Sequence, residues 1–317
     1  MTIAAEAHAH RSRRRSSLAR RGLHASVPYL LILPAIVVIT AILGYPLYKL
    51  VSLSFQQYGL AELIQRKGAW IGLDNYSSVL HDEIFWRTLL RTAIFTVANV
   101  ALTIGLGTMI AFLLIRVSAW VRVMLTAGLV LAWSMPAVVA VQVWYWMTNF
   151  QNGILNHVLT QLHAGDYTGH DWYETTFSKL TMVTLLIVWG AIPFVTITVY
   201  AGLAQVPREL VEAAEIDGAG PVRVFRDVTF PILRPIFLIL MSLSIIWDFG
   251  VFTQAYLLIG ASGVDASNYL MGVYVFIEGY AHSDFGRGAA ISLLILLIVA
   301  AMSVFYVRRM VKMGEVR

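Results

Sequence analysis

Long apolar stretches alternate with short polar ones along the chain, and six of the apolar stretches are long enough to cross a bilayer. A hydrocarbon core about 30 Å thick requires about 20 apolar residues in a helix that rises about 1.5 Å per residue. The six stretches are residues 27–55, 88–115, 123–147, 180–203, 235–259 and 288–311. The pattern predicts an all-α integral membrane protein, with six transmembrane helices in a domain at residues 27–317.

Composition supports this fold class, because 58% of the residues are hydrophobic and only 13% are charged. The first stretch is predicted to stay as a helix rather than to be cleaved as a signal peptide. Its apolar run is too long, and Pro34 and Pro46 fall where no small-residue cleavage site is evident. The chain has no cysteine, which excludes a disulfide framework and a thiolate metal site.

Lysine and arginine placement predicts the orientation of the spans. With a cytoplasmic amino terminus, sixteen of the 23 lysines and arginines lie on the inner side, as the positive-inside rule requires. The inner set is Arg11, Arg13, Arg14, Arg15, Arg20, Arg21, Arg116, Arg122, Arg208, Arg223, Arg226, Arg234, Arg308, Arg309, Lys312 and Arg317. The outer set is Lys49, Arg66, Lys67, Arg87, Arg91, Lys179 and Arg287. Both termini are therefore predicted to be cytoplasmic, and the net charge of +5 reports topology rather than nucleic-acid binding.

Residues 1–26 form a basic tail that contains His8, His10 and six arginines. We expect this cytoplasmic tail to be a disordered orientation signal. The alternative is a segment that touches anionic lipid.

A polar block at residues 212–220 interrupts the apolar pattern between the fourth and fifth spans. It holds three carboxylates, Glu212, Glu215 and Asp217. A carboxylate costs a few kcal/mol at the bilayer centre, about 3 by insertion scales, so this block cannot lie in lipid. The predicted topology places it on the cytoplasmic side, where it can meet a soluble partner.

The sequence around this block predicts a helix-turn-helix. Pro207 suits the first turn of a helix over residues 208–216, and Gly218 suits a left-handed residue that ends it. A second short helix over residues 222–228 is expected to leave at an angle, before Pro231 and Pro235 turn the chain into the membrane. The alternative is an ordinary solvated loop with a capping glycine.

The block resembles a known motif. Glu212-Ala213-Ala214 and Asp217-Gly218-Ala219, with Phe225, Pro231 and Pro235 at this spacing, resemble the EAA loop of permease subunits in ATP-binding-cassette importers that depend on a solute-binding protein. Further matches are Trp70-Ile71-Gly72-Leu73-Asp74-Asn75-Tyr76 with Phe85 and Trp86, Pro136 with Trp144 and Trp146, Gly153-Ile154-Leu155-Asn156, Trp189 with Pro193, and Asp284-Phe285-Gly286 with Ala289-Ala290. Together they resemble the carbohydrate branch, which handles maltose, trehalose, glycerol phosphate and similar solutes, over the chain from Pro28 to its end.

The resemblance implies a coupling loop at residues 204–234 whose helix sits in a cleft of a separate ATPase. The coupling residues it implies are Glu212, Ala213, Ala214, Asp217, Gly218 and Ala219. It also implies a bacterial or archaeal cytoplasmic membrane, a second homologous permease, two ATPase subunits and an extracytoplasmic solute-binding protein. Whether the permease pair is a heterodimer or a homodimer stays open.

The sequence independently separates this chain from the ATPase. It contains no G-x-x-x-x-G-K-[ST] phosphate loop and no room for a nucleotide-binding domain. We therefore expect a transport subunit that is not an enzyme and binds no cofactor, with ATP and magnesium held by the partner.

Residues at similar depth in three spans predict the solute pathway. The midpoints of the third, fourth and fifth spans fall near Met135, Ala191 and Trp247, and Pro136 and Pro193 loosen the backbone there. The candidate pathway residues are Trp133, Ala137, Gln142, Gly190, Phe194, Trp247, Asp248 and Val251. Aromatic faces that stack on a sugar ring, with carboxylate or amide groups for its hydroxyls, suit a carbohydrate. The predicted function is half of an import pathway for a sugar, such as trehalose or maltose, or for glycerol phosphate.

Other interpretations compete for several of these residues. Trp144 and Trp146 fit an interfacial belt or helix packing. Asp248 fits solute contact, pairing between subunits or a local structural role. A secondary transporter with Asp248 as its proton or sodium site would need an inverted repeat and broken helices, and the sequence shows neither clearly. A membrane-embedded enzyme would need clustered catalytic groups.

The outer loops, residues 56–87 and 149–179, are predicted to dock an external solute-binding protein. The second loop holds His157, His163 and His170 with nearby carboxylates, but their spacing fits no standard metal site. A solvated loop is the simpler interpretation. Glu278, Asp284 and Arg287 are expected to shape the outer mouth.

Overall fold

A computed structural model describes residue 29 and residues 31–260 and 265–314. The tail predicted at residues 1–26 lies outside the described residues. Within them, five helices are long and apolar enough to span a membrane, and one bent pair of helices passes the same test when its two parts are taken together. This confirms the predicted fold class.

In chain order the helices are α1 (Leu31–Ser54), α2 (Leu60–Gln65), α3 (Asp74–Leu80), α4 (Glu83–Arg116), α5 (Ala119–Trp133), α6 (Ala137–Met147), α7 (Ile154–Gln161), α8 (Thr176–Leu203), α9 (Arg208–Ile216), α10 (Pro221–Phe249), α11 (Thr253–Gly260), α12 (Met271–Phe276) and α13 (Phe285–Gly314). A short antiparallel hairpin pairs β1 (Gln56–Gln57) with β2 (Ala69–Trp70).

The core lies where α4 packs along α8. Gly107 of α4 allows this approach, because a Cβ there would lie 2.7 Å from Cγ1 of Val195 on α8. By contrast, none of the apolar window of α1 is buried, and this helix contacts the body mainly through α13. A helix this apolar must be covered by lipid or by another chain.

The third predicted span, at residues 123–147, is not one straight helix. The chain instead forms α5 and α6, which meet at 99° across residues 134–136. Pro136 has no N–H to donate and disfavours helical geometry in the residue before it, so the helix ends here. The sequence therefore encodes a broken helix here, although the apolar pattern runs through the break without interruption.

The fifth span also differs from its prediction. A separate helix at residues 222–228 was wrong, because these residues form the start of α10, which runs on through Pro231 and Pro235 to Phe249. A π-helical turn at Phe225–Thr229 directly precedes Pro231. In this wider turn the N–H of Phe230 donates to the carbonyl oxygen of Phe225, an i→i−5 pattern by which a helix adjusts next to a proline that has no N–H. The helix then ends at Phe249, and residues 250–252 separate it from α11. The predicted fifth span, residues 235–259, is therefore divided between α10 (235–249) and α11 (253–259).

The motifs before the second and sixth spans hold the hairpin in place. The side-chain Nδ2 of Asn75 donates to the carbonyl oxygens of Ser54 at 3.0 Å and Gln56 at 2.9 Å. The backbone N–H of Gly286 donates to the carbonyl oxygen of Tyr58 at 3.1 Å. These residues therefore have a structural role at one end of the bundle.

An ion-pair cluster joins the same end of the bundle. Arg287 pairs with Asp82 and, through Nε, with Oε2 of Glu278 at 3.2 Å. It also donates to the hydroxyl oxygen of Ser78 at 3.0 Å. Burial raises the pKa of Tyr274, whose hydroxyl donates to Asp82, to about 12. The cluster ties the starts of α4 and α13 to α12 and to the residues that follow it.

Replacing Gly286 by alanine is expected to destabilise the protein, although alanine normally favours a helix. A Cβ at Gly286 would lie 2.2 Å from the carbonyl oxygen of Gln56, so the hairpin backbone must shift. Overpacking of this kind costs about 1–3 kcal/mol. The matched control is Gly128→Ala in α5, where no atom lies within 4 Å of the new Cβ. Thermal unfolding in detergent should show a lower midpoint for the first variant only; an unchanged midpoint would contradict this account.

Candidate functional site

The predicted helix over residues 208–216 is confirmed as α9, with the predicted bounds. Pro207 occupies the position just before its first turn, with φ −60° and ψ 124°, where its missing N–H leaves no partner unsatisfied. The helix lies between α8 and α10, outside both long apolar spans.

Gly218 closes this helix in the left-handed conformation that the sequence predicts, with φ +78°. The N–H of Gly218 donates to the carbonyl oxygen of Glu215 at 3.0 Å, and that of Ala219 to Ala214 at 2.9 Å. These bonds satisfy the last carbonyls of the helix. A Cβ at Gly218 would meet no atom within 4 Å, so the backbone angle rather than crowding requires glycine.

The carboxylates of α9 and its closing turn are exposed, and two of them, Glu212 and Glu215, also line a cavity between α9 and the ends of the spans. Glu212, Glu215 and Asp217 are exposed, and among the described residues none of their carboxylates forms an ion pair. Ala213 and Gly218 are also exposed, whereas Ala214 and Ala219 are half-buried. The six predicted coupling residues therefore lie on one short helix and its closing turn.

Sequence reasoning missed the most exposed apolar residues of this surface. Ile216 is 86% exposed and Val222 is 80% exposed, on either side of the Gly218 turn. The signal in the sequence was Ile216, a large apolar residue inside the polar block at residues 212–220. An acidic helix that ends in an exposed Ile216, with an exposed Val222 across the turn, is suited to insertion into a groove on another protein.

The underside of α9 faces a cavity of about 590 Å³ among the ends of the spans. Phe225 at the start of α10 lies here, with its ring centroid 5.5 Å from that of Phe112 on α4. Arg122 of α5 donates from Nε to the carbonyl oxygen of Leu114 at 2.8 Å and so caps the end of α4. Phe225 thus connects the turn after α9 to a membrane-spanning helix.

A second cavity, of about 440 Å³, lies where the third and fifth spans break. Residues before and after both breaks line it, together with one turn and a half of α8. The lining residues are Ala132, Trp133, Met135, Ala137, Ala140, Leu186, Ile187, Trp189, Gly190, Ala191, Trp247, Asp248, Gly250, Val251, Phe252, Thr253 and Gln254. Irregular backbone at membrane depth is tolerated where it lines such a cavity.

Three aromatic rings stand side by side at this cavity. The ring of Phe194 lies 5.9 Å from that of Trp133, nearly parallel at 20°, and 5.6 Å from that of Trp247. Both tryptophans are about half exposed. They present flat apolar faces of the kind that stack on a sugar ring.

Asp248 is the one acidic residue in the lining of this cavity. It is 7% exposed, and no hydrogen bond or ion pair is found for its carboxylate among the described residues. A buried carboxylate without a protein partner must be neutral, hydrated or satisfied by a bound molecule. Since it faces the cavity, a solute in that cavity can supply the donor.

The structure brings most of the predicted pathway residues together. Six of them line the cavity: Trp133, Ala137, Gly190, Trp247, Asp248 and Val251. Phe194 stacks against two of these. Gln142 does not line the cavity; its side chain is exposed on α6.

Sequence reasoning missed the polar groups beyond the second break, Thr253 and Gln254. The signal for this break was a glycine at position 250, three residues after the predicted midpoint. Trp144 packs near Trp189, with ring centroids 6.4 Å apart, which fits the packing interpretation. Trp146 is exposed.

The loop before α8 is organised by hydrogen bonds. His170 packs against the ring of Trp172, which donates to the side-chain oxygen of Asn156 at 2.6 Å. Within residues 31–260 and 265–314, no three histidine or carboxylate side chains form a group that could hold a metal. Asn156 of the Gly153-Ile154-Leu155-Asn156 motif thus holds the loop fold.

Residues 103–312 match the family described as "binding-protein-dependent transport system inner membrane component". The chain is 43% identical over 291 residues to the diacetylchitobiose uptake system permease protein DasB of Streptomyces coelicolor, covering 92% of this chain and 88% of that protein. It is 29% identical to the trehalose/maltose transport system permease protein MalF of Thermococcus litoralis, covering 90% and 93%.

A solved bacterial alginate ABC transporter, in complex with an alginate pentasaccharide-bound periplasmic protein, contains a chain of similar fold. The TM-score is 0.73 at 15% sequence identity, covering 90% of this chain and 94% of that one. At this identity the likeness concerns the fold alone.

Proposed function

Because the chain belongs to the family of inner membrane components of binding-protein-dependent transport systems, we propose that it is the permease subunit of an ATP-driven sugar importer. The observation that carries this proposal is the span of the family match. Residues 103–312 include α9, its closing turn and every residue that lines the 440 Å³ cavity. Its role is transport rather than catalysis, with ATP and magnesium held by a separate ATPase.

The proposed solute is a neutral sugar of about disaccharide size. A volume of 440 Å³ lies within the range of about 300–1,000 Å³ typical of small-molecule sites. The diacetylchitobiose and trehalose/maltose permeases among the relatives support this class. The buried Asp248 favours hydroxyl or amide donors over a phosphate ester, since two anions would repel in a site of low dielectric.

The proposed coupling element is α9 with the Gly218 turn. Glu212, Glu215 and Asp217 offer carboxylates to arginine or lysine side chains of the ATPase, and Ile216 offers an apolar contact. Phe225 would then pass movement of α9 to α4 through its packing on Phe112. The proposed topology has α9 and both termini on the cytoplasmic side, as the placement of lysine and arginine predicts.

Trp133 and Trp247 line the cavity and are each about half exposed, which supports a second permease subunit on that side. One chain supplies only part of a closed pathway, so we propose a pair of homologous permeases related by a pseudo-two-fold axis, most simply a heterodimer. Two ATPase copies and an extracytoplasmic binding protein complete the assembly.

Site-directed crosslinking tests the proposed contact. Since the chain has no cysteine, Ala213→Cys on α9 or Asp217→Cys in its closing turn gives a single reactive site. The control is Thr168→Cys, which is exposed in the loop before α8 and therefore on the opposite side of the membrane. With a cysteine-reactive crosslinker, α9 should join the ATPase, and Thr168→Cys should not. Equal ATPase adducts from both positions, or none from α9, would overturn the coupling role.

A further inference from the structure

An apolar groove lies on the surface of α4 and α8, away from the solute cavity. It has a volume of about 570 Å³ and shares no lining residue with that cavity. Leu90, Ile94, Ala98 and Leu102 form one wall, at helical spacing along α4. The other wall is a face of α8, with Phe177, Leu180, Thr181 and Thr184.

The groove has a cationic end. Arg87 and Arg91 line it where both helices begin. The side chain of Arg87 is 70% exposed and pairs at 2.5 Å with Glu83, itself 74% exposed. An exposed pair of this kind is worth at most about 1 kcal/mol, so Arg87 can exchange it for a stronger anion. Arg91 is held in place by the carbonyl oxygens of Ala266 and Tyr269, at 3.1 Å and 2.8 Å.

The nearest carboxylates do not cancel this charge. Glu83 balances the charge of Arg87. Asp265 accepts a hydrogen bond from Ser267 and lies near the positive charges of Lys179 and Arg91. The hydrogen bond first, and then these charges, lower the pKa of its carboxyl. Three cations therefore meet two carboxylates at this end. One positive charge remains for a ligand.

The depth of the groove equals one leaflet. From Arg91 to Leu102 is eleven positions along α4, about 16 Å at 1.5 Å per residue, and half of a hydrocarbon core is about 15 Å. Leu102 lies near the middle of the 34-residue α4, whereas the arginines lie near its start. Phe177, 82% exposed at the start of α8, lies at the level where aromatic side chains meet head groups.

From this arrangement we propose that the α4–α8 groove is a binding site for an anionic phospholipid, with the phosphate at Arg87 and Arg91 and one acyl chain along the groove. A second polypeptide would not need an apolar groove that ends at mid-bilayer with cations at its mouth. The proposal does not depend on the transport function.

Native mass spectrometry of the full chain in detergent tests the site, with dioleoylphosphatidylglycerol and dioleoylphosphatidylcholine as probes. The anionic lipid should bind at least tenfold more tightly, and Arg87→Gln should reduce that preference at least threefold. The matched control is Arg223→Gln, since Arg223 is 69% exposed and pairs with Asp227 in the same i,i+4 arrangement. Equal binding of both lipids to the unaltered chain would overturn the proposal.

A second pair of variants tests the acyl chain. Ala98→Trp should fill the groove and lower phosphatidylglycerol binding at least tenfold, whereas Ala101→Trp, exposed and outside this groove, should not. If Ala98→Trp retains phosphatidylglycerol binding, or if soluble glycerol phosphate competes fully with the lipid, then only a phosphate is bound. Either result would overturn the lipid assignment. In membranes, a photoreactive label on Ile94→Cys should acquire the mass of a lipid; an adduct with a polypeptide would show that a partner subunit occupies the groove instead.

Discussion

Gly218→Val is expected to abolish ATP-driven uptake while leaving membrane insertion intact. Gly218 has φ +78°, and a β-branched residue in that region costs about 1–2 kcal/mol or more. No atom lies near its absent Cβ, so the variant does not disturb packing within the chain. The expected result is a changed turn after α9, with Glu212 and Ile216 no longer set against the same partner surface.

The matched control for this variant is Gly220→Val. Gly220 also has no atom within 4 Å of a new Cβ, but its φ of −70° suits any residue. Uptake should therefore fall far more for position 218 than for position 220. Equal loss at both positions would mean that added bulk, not the turn, is what the partner rejects. Normal uptake with Gly218→Val would count against α9 as the coupling element.

Asp248→Ala is expected to weaken solute recognition by roughly tenfold to a hundredfold, with assembly unchanged. A hydrogen bond to a charged group contributes about 1.5–3 kcal/mol, and the structure shows no protein donor for this carboxylate among the described residues. Asp248→Asn keeps one acceptor oxygen and should retain part of the recognition. The measurement is the concentration dependence of uptake, alongside the yield of assembled complex.

The control for Asp248 is Ser244→Ala, one turn earlier on α10. Ser244 is similarly buried at 8% but does not line the cavity. Its replacement should leave the concentration dependence of uptake unchanged. If Asp248→Ala instead lowers only the yield of complex, Asp248 pairs with another subunit or stabilises the fold, and it does not bind solute in the cavity.

The coupling region was predictable because its determinants are local. Pro207 and Gly218 fix the two ends of α9 through backbone geometry alone, and both lie within a few residues of the helix they bound. Nothing distant in the chain is needed to place them. The exposed Ile216 was missed because a local pattern does not say which side of a helix another protein will cover.

The helix breaks were not predictable because the same residue has opposite effects in different surroundings. Pro193 lies inside α8 without interrupting it, whereas Pro136 separates α5 from α6 at 99°. Pro193 is buried among neighbouring helices, and Pro136 is exposed. Packing therefore decides whether a proline is tolerated, and packing is not encoded in spacing. Thr253 and Gln254 entered the cavity for the same reason, since the break after Phe249 brings them back to it.

Uptake by proteoliposomes tests the central claim, that this chain conducts a sugar only when coupled to a separate ATPase. Vesicles would contain the chain with its proposed permease partner, with or without the ATPase, and would be given the binding protein and labelled disaccharide. The account predicts uptake that requires the ATPase and internal ATP and that is lost with Gly218→Val. Uptake without the ATPase, or driven by an imposed proton or sodium gradient, would contradict it.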